Sequence, residues 1–91
     1  MTFSQKVLHE LTALDEKKRA RDKHWNRYFL GIVCRDALPR IEEDMANGVS
    51  EVEAFAGAFT PAREMHAVAR KLGLGLEVDR GRWVLPDGSV W

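Results

Sequence analysis

Thr60-Pro61-Ala62-Arg63-Glu64-Met65-His66-Ala67-Val68-Ala69-Arg70-Lys71-Leu72-Gly73 runs directly into Leu74-Gly75-Leu76-Glu77-Val78-Asp79-Arg80-Gly81-Arg82-Trp83-Val84-Leu85, and the change of period between the two runs decides the fold class. In the first run Met65, Val68, Ala69 and Leu72 recur at three- and four-residue steps, the mark of a helix with one buried face. Thr60-Pro61 is a start signal and Gly73 a stop, so the spacing predicts a helix over 61–72. The second run has period two. With Arg80-Gly81 as a two-residue turn, Val78 faces Trp83 and Leu76 faces Leu85, all on one side of a hairpin. Pro86-Asp87-Gly88 makes a second turn before a short return through Ser89 to Trp91.

Working back along the chain, Ser50 and Glu53 have capping-box spacing for a short helix ending near Ala58. Phe59-Thr60 is then a tight turn between two helices. Further back, Asp36 is placed to cap a helix that carries Pro39 in its first turn and stops at Asn47-Gly48. The N-terminal segment is also helical. Thr2 and Gln5 have capping-box spacing, and Phe3, Val7, Leu11 and Leu14 follow at helical steps. From Leu14 to Leu30 there is no Gly, Pro or Ser. A continuous helix to about Arg35 is therefore expected, with a helical hairpin turning near residues 15–22 as the alternative.

The fold class expected is mostly α (α+β by strict count): a long N-terminal helix, a small three-helix region and a C-terminal β-hairpin. It forms one domain over residues 1–91, divided into a projecting or pairing helix (1–35) and a compact body (36–91). The expected core is Ile32, Leu38, Ile41, Met45, Phe55, Phe59, Met65, Val68, Leu72, Val78, Trp83 and Leu85.

Composition restricts function. Ninety-one residues with 45% hydrophobic and 31% charged side chains make one ordinary small globular domain. Fourteen basic and fourteen acidic residues cancel, so no net field draws the chain to nucleic acid or membrane. The charge is nevertheless segregated: residues 1–40 carry +4, residues 41–60 carry −5 and residues 61–91 carry +1. A single cysteine, Cys34, excludes an internal disulfide and a cysteine-based zinc cluster. The longest nearly apolar run, Tyr28 to Cys34, falls far short of the ~20 residues of a membrane span. With no signal-peptide pattern either, a cytoplasmic location and no membrane partner are expected.

Candidate chemistry is sparse. His9, His24 and His66 have no metal-ligand spacing, and Cys34 sits in apolar sequence rather than beside a base. Gly73-Leu74-Gly75 follows a helix and precedes a strand, the reverse of a dinucleotide-binding loop. Glu42-Glu43-Asp44 fan around a helix instead of converging. Neither catalysis nor a cofactor or metal is expected.

Two features stand out. Residues 16–29 mix cations with Trp25, Tyr28 and Phe29. A free-standing helix would expose Val7, Leu11 and Leu14 as apolar anchors, with Lys17, Lys18, Arg21, Lys23 and Trp25 as selectors. The leading expectation is accordingly a regulatory or inhibitory protein-binding module, its partner another protein or a second copy forming a homodimer through that helix. The second feature is the order helix, short helix, tight turn, helix, hairpin over residues 37–85, which resembles a winged-helix domain. That resemblance implies DNA as the alternative partner, met by Arg63, His66, Arg70 and Lys71 on the 61–72 helix and by Arg80 and Arg82 on the wing. Glu64 in the same helix and the acidic segment before it depart from that pattern.

Overall fold

In the computed structural model, which describes residues 1–25, 31 and 35–91, the chain forms α1 (Phe3–Arg21), α2 (Leu38–Ala46), α3 (Glu51–Ala58), α4 (Arg63–Lys71), β1 (Glu77–Asp79) and β2 (Arg82–Val84). The architecture is mostly helical with a C-terminal antiparallel hairpin, as the change of period predicts. Of the expected core, Leu38, Ile41, Phe55, Phe59, Met65, Val68, Trp83 and Leu85 are buried, while Met45, Leu72 and Val78 pack partly against it. Ile32 and Cys34 lie outside the described residues.

The first helix departs from expectation in length and position. Thr2 and Gln5 exchange the two hydrogen bonds of a capping box. The helix then ends at Arg21, with Asp22 in extended conformation at its C-cap. The Asp22 carboxylate accepts the His24 amide at 2.9 Å, and the Asp22 carbonyl accepts that of Trp25 at 3.2 Å. A short acidic side chain that binds the backbone two residues on offers an alternative to the helical ladder. Helix termination therefore needs no Gly, Pro or Ser here. Nor does α1 project: Phe3, Val7 and Leu11 are buried, and the helix packs against both α2 and α4.

Two predicted caps are also corrected. Ala37, not Asp36, is the N-cap of α2, and the Asp36 carboxylate instead meets Arg35 at 3.3 Å. Thr60 does not cap α4. The Ala62 amide donates to the Thr60 carbonyl at 2.7 Å, so Pro61 is the centre of a three-residue turn and the helix begins at Arg63. The stop at Gly73 holds: with φ +69° it lets the Leu74 amide reach back to the Ala69 carbonyl, and Leu74 turns into the core.

The hairpin register is the expected one, with Val78 opposite Trp83 and both turn residues left-handed (Arg80 φ +54°, Gly81 φ +74°). Trp83 fixes the hairpin to the helices. Its indole is 2% exposed, lies edge-on to Phe55, and donates to the Phe59 carbonyl at 2.8 Å. That bond holds the sheet against the turn between α3 and α4, and so sets where α4 points. Val84 bridges to Val90, which completes the short return strand.

Candidate nucleic-acid interface

Helix α4 is amphipathic, and its inner face decides what its outer face presents. Met65, Val68 and Ala69 are buried, which turns Arg63, Ala67, Arg70 and Lys71 outward, all of them exposed. Arg63, Ala67 and Arg70 lie within about 60° of arc at 100° per residue, so they form one row along the helix. Among the described residues no carboxylate lies within ion-pair distance of Arg63, Arg70 or Lys71.

Both remaining polar residues of α4 are turned sideways. Glu64 faces α1, where its carboxylate lies 3.8 Å from the Lys18 ammonium, so the acidic residue that breaks the winged-helix pattern is turned off the outer face. His66 is turned the other way. Its Nε2 is 3.2 Å from the Glu77 carboxylate on β1, with only about a quarter of the side chain exposed. The expectation that His66 lies among the outward cations is therefore corrected: it sits at the seam between helix and hairpin.

On the α1 side a groove of about 190 Å³ separates the two helices, floored by Ala13, Leu14, Ala67 and Val68 and edged by Glu10, Lys17 and Lys71. A second hollow near the end of α1 is lined by Leu14, Lys17, Lys18, Arg21 and Asp22. On the hairpin side, Arg80 is exposed at the tip. Arg82 lies on the hairpin's outer face opposite Asp79, with its Nε 3.5 Å from the Trp91 carbonyl, and is set apart from the α4 row.

The residues expected to capture a protein are divided by this arrangement. Val7 and Leu11 are wholly buried, so the stripe expected to meet a partner helix meets α2 and α4 instead. Leu14 is half-buried in the groove floor. Lys17 is exposed beside α4, Arg21 is exposed at the end of α1, and Lys23 is exposed in the turn beyond it. Lys18 lies 5.7 Å from the centre of the Trp25 ring, and the Trp25 indole donates to buried Asp15 at 2.8 Å. Asp15 also takes Arg19 at 2.9 Å.

Sequence reading passed over Ala67, Ala13 and the contact of Asp15 with Trp25. Ala67 was legible, standing midway between Arg63 and Arg70 on one helical row. Asp15 was not, because it occupies an apolar position of the stripe and is acceptable there only through Trp25 and Arg19. No protein family, curated protein or solved structure matches the chain. Among the described residues no cluster could hold a metal ion and no helix is long and apolar enough to cross a membrane.

Proposed function

We propose that the protein binds duplex DNA, with α4 in the major groove and the flanking cations on the phosphates. The observation that supports this reading is the outer face of α4: Arg63, Arg70 and Lys71 exposed without acidic partners among the described residues, with Glu64 and His66 turned aside to α1 and β1. An α-helix fits the major groove, and arginine recognises both phosphate and base edges. Lys17 and Lys71 edge one side of α4, and Arg80 tops the hairpin that flanks the other. Four to six phosphate contacts of this kind supply non-specific affinity and orient the helix.

Val7 and Leu11, two of the three apolar residues that motivated a protein-capturing N-terminal helix, are buried in the protein's own core and Leu14 is half-buried against it, which ranks that reading below DNA. A cytoplasmic location goes with the DNA reading and is tested by cell fractionation.

Anisotropy of labelled random-sequence duplex, titrated at 20 mM and 150 mM salt, tests the proposal. Binding is expected at low salt and should weaken with a log–log slope of roughly −3.6 to −5.4, as four to six phosphate contacts require. Arg70→Ala together with Lys71→Ala should flatten that slope by about 2. A flat titration at 20 mM would overturn the reading.

A further inference from the structure

We infer that α4 reads sequence as well as charge: Arg63 and Arg70 each take a guanine, and Ala67 between them takes a thymine methyl. This deepens the duplex-binding reading and rests on it. The three side chains share one row on the exposed face of the helix, with Glu64 and His66 turned to its two sides and Lys71 at the edge nearest α1. From Arg63 to Arg70 the helix rises about 10.5 Å, at 1.5 Å per residue. That distance is about three base-pair steps at 3.4 Å. A helix laid along the major groove thus presents two guanidinium forks to base edges three steps apart. Ala67 falls inside that interval.

The chemistry at each end is specific. Guanine alone offers two acceptors, O6 and N7, side by side in the major groove, and the guanidinium fork meets both at once. Between the forks the helix carries a methyl group and no polar atom. A side chain that small lets the backbone approach the bases, and its favourable contact in the major groove is the C5 methyl of thymine. Ala67 stands where this row meets the groove with α1, and Lys71 and Lys17 edge that groove beyond it, which places them toward phosphate rather than base. The favoured target is therefore a four-base-pair window bounded by two G·C pairs with a T·A pair inside it.

The test is selection of duplexes from a fully randomised pool with the full chain, followed by anisotropy on the selected duplex. Enrichment of two G·C pairs three steps apart with a T·A between them is expected. Arg63→Lys and Arg70→Lys keep charge and fold but lose the fork. Each should weaken the selected duplex about tenfold more than it weakens random duplex at low salt, and relax preference at one G·C pair. Replacing the inner thymine by uracil should weaken wild type about fourfold, the worth of one buried methyl, and have no effect on Ala67→Gly. If wild type binds random duplex but the pool returns no preference, or if the preference survives both lysine variants, this inference fails while duplex binding stands. If no duplex is bound even at 20 mM salt, both fail together.

Discussion

Asp15 shows how much one side chain can decide. It occupies the position where the apolar stripe of α1 would place another Leu, yet its carboxylate is buried and accepts the Trp25 indole while pairing with Arg19. The bond to Trp25 crosses the end of the helix and holds the chain after Arg21 against it. Asp15→Ala should lower stability by about 1–3 kcal/mol, because a buried charge-assisted hydrogen bond is lost. Asp15→Asn keeps an acceptor and should cost less. Denaturant midpoints of the two variants check the order, and an Asp15→Ala midpoint equal to wild type would remove the anchoring role. Trp83→Phe is the parallel case at the hairpin. It leaves the buried Phe59 carbonyl without its donor, for a loss of about 1–3 kcal/mol before any cavity is counted. At the surface, Ser89 donates twice to the Asp87 carboxylate and holds its pKa below the ordinary 3.8. Because the folded value is depressed, that contribution is present above the ordinary carboxylate range and is lost as pH falls below it. In a carboxyl NMR titration Ser89→Ala should move Asp87 back up toward 3.8.

At the scale of elements, α1 is part of the core. Phe3, Val7 and Leu11 fill the space beside α2 and α4, so Leu11→Ala should cost about 2–5 kcal/mol and Leu11→Asp should unfold the whole domain. Thermal melts followed by circular dichroism test this. A hairpin and helices that stay folded in Leu11→Asp would return α1 to the role of an independent arm. The α4 inner face, the hairpin register and the stop at Gly73 were legible because local chemistry and tertiary packing agree there. The extent of α1 was not. Its end is set by the Asp22 side chain bonding its own backbone, and its burial by packing against α2 and α4. Helical periodicity records neither. For the same reason the stripe Val7-Leu11-Leu14 marks a buried face without saying whether the chain or a partner covers it. The candidate interface was half legible: Arg63, Arg70 and Lys71 follow from the inner face, whereas the sideways engagement of His66 and Glu64 needs the positions of β1 and α1.

For the whole molecule the decisive quantity is how a chain of zero net charge distributes its field. The acidic side chains of residues 41–60 stand on α2 and α3, while on α4, at the end of α1 and at the hairpin tip stand exposed cations that have no ion-pair partner among the described residues. A neutral total therefore permits a basic face, but the acidic helices lower the potential felt by a polyanion approaching it. Fields from exposed charges extend about 10 Å at 0.1 M salt and about 30 Å at 0.01 M. Two exposed acids remote in sequence from the α4 row, Glu43 and Glu51, allow a test, since removing both takes the net charge from 0 to +2 without touching the outer face of α4. Glu43→Gln with Glu51→Gln should speed association with duplex DNA several-fold at 10 mM salt. The gain should be nearly gone at 150 mM, with base preference the same at both. Glu51 lies in the first turn of α3, so the double variant should lose up to about 1 kcal/mol of helix-dipole stabilisation, too little to unfold the domain. Stopped-flow association rates at the two salts separate the cases. An equal gain at both would place these acids in contact with the bound DNA, whereas a gain confined to low salt means that they shape the long-range field and that α4 and its flanks make the contacts.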